Sequence, residues 1–430
     1  MISLWYNNVK NIPWEFKWFI LFILIRPIIS IFYDLKEISP LLSPLYIVAG
    51  ITPILILLSV TLGKKLVTTT NISSFDIIMF FWGSMVFING VIVFNYDEMI
   101  LSVDVFLRMM LPFILYYYLR FYVRSMHTLL FILKTMLFAS IIPAVFLVYE
   151  VMVSPLEYRM IRGGLIRHSA LYADWLEYSI YSIYAFIIIT YLYLGPMRSK
   201  VGKYVNSTML IFVILLIILA LLSIVHIATT VIFLCLAGMF IYNLSRRSFI
   251  IFVSVFIVLV VFIGILFSEQ INDKIIPLFQ SEISVIKGDR DIKFLGHGRM
   301  GRIISYQEIW SSQSTEAKLF GMAFSNVPDK LDWMGGTIHN EYLRSLYISG
   351  YVGLFLFLLL LILSFIQSFK FLIPEKYLFQ GFVVIVALYS ISSLPMLYYS
   401  LIYVFLPVIA YLSHSSSFTK KQIKSYIHAL

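Results

Sequence analysis

The chain predicts an all-α polytopic membrane protein, with about twelve transmembrane helices and a large extracytoplasmic loop between helices 9 and 10. Composition is the first reason: of 430 residues, 61% are hydrophobic and 13% charged, with a mean hydropathy of +0.93. A water-soluble domain does not carry that balance. Length is the second, because many apolar runs reach the roughly 20 residues needed to cross about 30 Å of hydrocarbon. The third is the basic residues, which recur at alternate connections between those runs.

In chain order the predicted spans fall at about 16–33, 41–62, 75–94, 105–123, 128–152, 176–195, 207–223, 226–244, 248–268, 343–367, 377–394 and 397–413. The first reads as a span and not as a cleavable signal peptide, since it is long enough to cross and further spans follow. Spans seven and eight are separated only near Ser223 to His226, and the last two meet at a turn around Pro395. Cys235 is the one cysteine and lies inside an apolar run, which leaves no intramolecular disulfide. With no fixed-period repeat or low-complexity tract, residues 1–430 read as a single integral membrane domain.

Orientation follows from the short loops. Lys64 and Lys65, Arg120 and Arg124, Arg198 with Lys200 and Lys203, Arg246 and Arg247, Lys370 and Lys376, and the tail Lys420, Lys421 and Lys424 all fall on one side. The intervening short loops are acidic or bare, as at Asp97 and Glu98. The positive-inside rule then puts both termini in the cytoplasm of a multi-pass protein. The net charge of +10 is mostly topological on this reading, and no nucleic-acid partner is expected.

Two outward connections break the pattern: 153–175 carries Arg159, Arg162 and Arg167, and 269–340 carries Arg290, Arg299 and Arg302. In the first, RMIRGGLIRHSALYADW, Gly163 and Gly164 permit close backbone approach to a ligand. The flanking arginines offer forked donors suited to phosphate oxygens. The alternative is that they bind lipid headgroups or pair with Glu157, Asp174 and Glu177.

In the second loop, GHGRMGRIISYQEIWSSQS predicts a short amphipathic helix with Arg302, Tyr306 and Trp310 four residues apart on one face. Such a helix suits the membrane interface, either holding Arg302 at headgroup depth or serving only as an anchor. Gly321, Gly335 and Gly336 are the expected turn points that bring the loop back over the membrane. His339 precedes the tenth span, with Asn340 and Glu341 adjacent; it is a general base or anion donor, or else only a cap.

Polar groups within the spans have simpler readings. Asp104 and Arg108, at i,i+4, make a structural ion pair; Arg26, before Pro27, snorkels outward in preference to joining a phosphate site. His226, followed by Thr229 and Thr230, sits at the outer junction of spans seven and eight, and Glu150 is a spare acid near the outer end of span five.

Four features in order resemble the O-antigen polymerase and ligase superfamily, the Wzy-type bacterial membrane glycosyltransferases. They are Arg162 to Gly164, Gly301-Arg302 with an aromatic four residues on, Phe320-Gly321, and HNEYLRSLYISGYVGL from His339, with Gly350 and Gly353 at the family's glycine-aliphatic-glycine step. The match covers about 298–357 and is only topological elsewhere. One departure is SIVHIATTVIF, where His226 stands and the family often has an arginine.

The resemblance implies a polymerase of bacterial surface polysaccharide, O-antigen or capsule, in the cytoplasmic membrane. It would be a metal-independent glycosyltransferase joining undecaprenyl-pyrophosphate-linked repeat units, with no cofactor. It implies His339 and Arg302 as catalytic residues, and Arg162, Arg299, His226 and Asn340 at the pyrophosphate and substrate. Expected partners are undecaprenyl-pyrophosphate-linked glycans, membrane lipids, a flippase and a chain-length regulator. The alternatives are an O-antigen ligase transferring polymer to lipid A-core, and a lipid-linked glycan flippase.

Overall fold

The computed structural model describes residues 13–38, 44–62, 72–94, 96–97, 99–153, 161–162, 165–166, 172, 175–195, 227–244, 250, 268, 272, 276–295, 299–324 and 339–415. The principal helices are α1 (Trp14–Ile29), α2 (Pro44–Leu62), α3 (Ser74–Ile92), α4 (Met99–Tyr122), α5 (Met126–Ala139), α6 (Ile141–Val153) and α7 (Trp175–Leu194). After them come α8 (Ile227–Tyr242), α9 (Ile276–Ile286), α10 (Arg299–Ser311), α11 (Thr315–Phe320), α12 (Glu341–Ser368), α13 (Ile373–Ser392) and α14 (Tyr399–Ser415). A minimal hairpin, β1 (Ile161–Arg162) with β2 (Leu165–Ile166), pairs antiparallel within the Arg/Gly loop.

Local sequence explains where several helices start. Ser73 caps α3 in a capping box with Asp76, Ser125 caps α5, Ser314 caps α11 and Asn340 caps α12. Pro374 takes the first turn of α13, where its missing N–H costs nothing.

The expectation of about twelve spans is corrected. Among the described residues, four helical stretches are long and apolar enough to cross a membrane: Ser74–Ile92, Met126–Glu150, Glu177–Leu194 and Glu341–Ser368. Gly50–Ser59, Ala228–Tyr242 and Ser400–Ser415 are apolar but shorter. The physical reasons differ by element. Helix α1 has only 16 residues, with Arg26 and Pro27 near its end, and passes into a 3-10 turn at Ser30. Helices α8 and α14 have 16 and 17 residues. Helix α4 is long enough but carries Arg108, Arg120 and the run Tyr116–Tyr118. Helix α13 opens with Glu375 and Lys376.

With the span count goes the highly multi-pass topology that placed both termini in the cytoplasm. That placement rested on basic residues alternating across the connections of twelve spans, and residues 1–12 and 416–430 lie outside the described residues. The predicted span 207–223 lies outside them too, as does 248–268 apart from positions 250 and 268.

The helices are tightly packed on one another. At the centre is α14, where residues 401–413 are all buried, with α1, α3, α4, α5, α7, α12 and α13 around it. One continuous apolar core runs through these helices and α8. Polar groups pin the packing. At one end Asp76 accepts from Tyr116 Oη at 2.7 Å and Arg120 Nε at 3.2 Å, and Ser73 meets Ser413 at 2.5 Å, so α3, α4 and α14 are clamped together. Elsewhere Arg26 Nη2 donates to Glu177 at 2.9 Å and joins α1 to α7. Arg26 is buried in this pair, 6% exposed, which corrects the snorkelling expected of it.

Helix α12 is the longest and is not continuous. Gly350 has φ +66° and ψ −168°, which divides it into 341–349 and 351–368. The sequence reading took 343–367 as one unbroken span.

Candidate functional site

The segment singled out by sequence, 298–357, converges on the first half of α12. The amphipathic helix predicted there is α10, but its aromatic face turns to protein. Trp310 is buried, and its ring meets Tyr347 edge-on at 5.1 Å; its Nε1 donates to Tyr351 Oη at 3.2 Å. Tyr306 lies against the same Tyr347 ring at 5.6 Å. With Met322, these residues form a small core of their own.

Helix α11 then lays its C-terminal turn across the break in α12. Gly321 has φ +114°, and a Cβ there would collide with the Ile348 carbonyl. A Cβ on Gly350 would collide with the Leu319 carbonyl. The two backbones approach so closely that only glycine fits at either position. Asn89 of α3 closes the joint: its Nδ2 donates to Phe320 O at 2.8 Å and to Ile348 O at 2.6 Å. The carbonyls left over where α11 ends and α12 breaks are thereby partnered.

At the start of α12, Asn340 is the cap. Its side chain accepts from Leu343 N at 3.0 Å and donates to Ile391 O at 3.0 Å, tying α12 to the end of α13. His339, next to it, is exposed. Arg299 and Arg302 occupy the first turn of α10; Arg302 stands four residues before Tyr306 and eight before Trp310, the two that dock on α12. Arg162 is in β1, paired with Leu165. The side chains of Arg162, Arg299 and Arg302 lie outside the described residues, as do His226, Gly163, Gly164, Gly335, Gly336 and the Asp104 side chain. The structure therefore brings Asn340, His339 and the α10 face to one end of α12 and leaves the outer arginine loop unassigned.

Three residues that sequence reasoning passed over, Arg344, Ser345 and Ser349, lie further along α12 beside Glu341. Glu341 accepts from Arg344 Nε at 2.9 Å and from Arg344 Nη2, and its other oxygen accepts from Met396 N at 3.2 Å. This pair is buried, with Glu341 at 0% and Arg344 at 7% exposure. Beside it, Ser345 and Ser349 are buried on the same helix face and line a cleft between α3, α4 and α12. The available signal was the i,i+3 and i,i+4 spacing of Glu341, Arg344, Ser345 and Ser349, which puts them on one stripe of an otherwise apolar helix.

Off the main bundle helices, Glu316 and Tyr172 have shifted acidity. The Glu316 carboxyl is held below the usual range by backbone and Ser314 hydrogen bonds at the start of α11. Burial pushes the Tyr172 phenol well above its ordinary value, with Tyr181 and Glu177 adding to it.

No protein-family model matches the chain, and no curated protein matches it. The resemblance to the O-antigen polymerase and ligase superfamily is therefore not sustained. A tightly packed helical bundle with four candidate spans among the described residues also departs from the twelve-span architecture on which it depended. The expected surface-polysaccharide polymerase, and with it the ligase and flippase alternatives, is withdrawn.

Proposed function

We propose that the chain is a membrane-embedded helical protein that receives an amphiphilic, anionic-headed ligand at the end of α12 covered by α10 and α11. The carrying observation is the docking of a polar helix, through Trp310 and Tyr306, beside a break in an apolar helix of 28 residues. Broken backbone at membrane depth is tolerated where protein or a cavity takes up its polar groups, and such breaks are where ligands bind.

Membrane embedding is supported by the exposed faces of the candidate spans. Ile77, Phe80, Phe81, Phe87, Ile88 and Val91 make a helical stripe on α3, all more than 45% exposed. Phe355, Leu358, Ile362, Phe365 and Ile366, all exposed, make a second stripe on α12. An apolar stripe running the length of a helix is a surface suited to lipid.

The anionic head is inferred from Arg299 and Arg302 in the first turn of α10, with His339 and Asn340 at the head of α12. A lipid with a diphosphate head is the ligand class we assign: arginine would bind the diphosphate, with His339 at the head of α12 as a further donor.

The test uses the full chain in lipid nanodiscs with a photoactivatable polyprenyl diphosphate. Adducts on α10 or the start of α12 that fall in Arg302→Ala and His339→Ala support the reading. Labelling confined to the lipid-facing stripes, or unchanged in both variants, overturns it.

A further inference from the structure

Serines inside this protein's helices have a habit. Ser59, Ser182, Ser364 and Ser390 each donate to the carbonyl four residues back, at 2.6 to 3.1 Å. That bond is what a hydroxyl does in an apolar helix when nothing else is offered. Ser345 and Ser349 do not follow it, nor do Ser392 and Ser400 near helix ends. Ser345 and Ser349 are buried, at 2% and 0% exposure, and neither hydroxyl has a hydrogen-bond partner among the described residues. Both line the cleft between α3, α4 and α12.

The cleft is bounded by two helix irregularities. Pro112, which has no N–H to give to the preceding turn, is in its α4 wall, and the break at Gly350 follows Ser349 directly. Its remaining walls are apolar, with Trp82, Met109 and Phe113 prominent. It encloses about 280 Å³ with its open mouth. The freely occupiable part is about the size of one water or hydroxyl.

Charge decides what suits it. Arg344 lines the cleft, but its Nε and Nη2 are taken by Glu341, so the pair brings no net charge. An anionic group here would be desolvated against a guanidinium already neutralised by Glu341, with no net counter-charge. A neutral hydroxyl meets no such penalty and can both donate to and accept from the two serines.

We propose that this cleft is a subsite for a hydroxyl group of a neutral amphiphile. Ser345 and Ser349 bond the hydroxyl, and Trp82, Met109 and Phe113 hold the adjoining hydrocarbon. The assignment rests on the membrane-embedded reading above and adds to it a second ligand group, separate from the anionic head at α10.

The experiment photolabels the full chain in nanodiscs with a diazirine-bearing octanol and, separately, with the corresponding octyl phosphate. Adducts are mapped by mass spectrometry. Octanol should label α3 and α4 around Trp82 and Met109. In Ser345→Ala/Ser349→Ala that labelling should fall about tenfold, the loss of two ordinary hydrogen bonds. Ser364→Ala should leave it unchanged.

Because the two hydroxyls have no partners among the described residues, the double variant should keep its fold, checked by its thermal midpoint. Unchanged octanol labelling in the double variant overturns the proposal, as does labelling of the cleft by octyl phosphate to an equal extent. Labelling of the exposed α3 stripe at Phe80 and Phe81 reports membrane embedding in the same samples. Its absence would count against the membrane reading rather than the hydroxyl subsite.

Discussion

Asn89 Nδ2 lies 2.6 Å from the carbonyl oxygen of Ile348, two residues before the break in α12, and the same nitrogen reaches Phe320 O. One amide on α3 thus supports both the end of α11 and the interrupted turn of α12. Asn89→Leu fills similar space but leaves two buried carbonyls without a donor. A loss of about 2 kcal/mol in unfolding free energy is expected, read by denaturant titration in mixed micelles. Asn89→Asp should cost at least as much, since a carboxylate sets acceptor against acceptor. A variant as stable as wild type would mean that the joint holds without its amide.

Glycine substitutions should have opposite signs at different sites. Gly350→Ala and Gly321→Ala each put a Cβ into a neighbouring carbonyl at positive φ, so each should cost more than about 2 kcal/mol and loosen the α11–α12 contact. Gly238→Ala on α8 has open space around it and should gain up to about 1 kcal/mol from helix propensity. Thermal midpoints of the three variants decide the matter together, and a gain at Gly350 would contradict the packing found there.

Trp310→Ala should release the cap without unfolding the bundle. The ring is buried only within the small core with Met322 and Tyr347, and that core is separate from the main one. Truncation should cost about 3 kcal/mol, confined to α10 and α11. Hydrogen exchange should speed up over 299–324 and stay unchanged over α14. Equal acceleration in both would show that the cap and the bundle fold as one unit.

What the sequence made legible was local. The turn at Gly321 and the amphipathic helix around Tyr306 and Trp310 each follow from residues within a few positions of one another, while the cap offered at His339 is made by Asn340 next to it. What stayed hidden depended on distant partners. Gly350 breaks α12 because the Leu319 backbone, some thirty positions earlier, occupies the space a continuous helix side chain would need. Arg26 is buried because its carboxylate is 151 residues away.

The span count failed for a related reason. Hydropathy measures the length of an apolar run, but α1 ends soon after Arg26 and Pro27, and α4 carries tyrosines that reach Asp76. The stripe of Glu341, Arg344, Ser345 and Ser349 was readable in spacing alone. Its partners were not, because the cleft's other walls come from α3 and α4.

The Arg26–Glu177 pair gives the sharpest test of how polar groups hold this bundle together. Both side chains are buried, at 7% and 9% exposure, and they join α1 to α7. Glu177→Gln leaves a buried guanidinium without its counter-charge and should cost about 3 kcal/mol. Arg26→Met alone strands the carboxylate and should cost about as much. The double variant, Arg26→Met with Glu177→Leu, removes both desolvation penalties and should recover most of the loss, because apolar packing can replace a buried pair. Denaturant midpoints for the four proteins close the cycle. If the double variant is as unstable as the sum of the singles, the pair is not an isolated unit, and the surrounding tyrosines, Tyr181 and Tyr403, must depend on its charges.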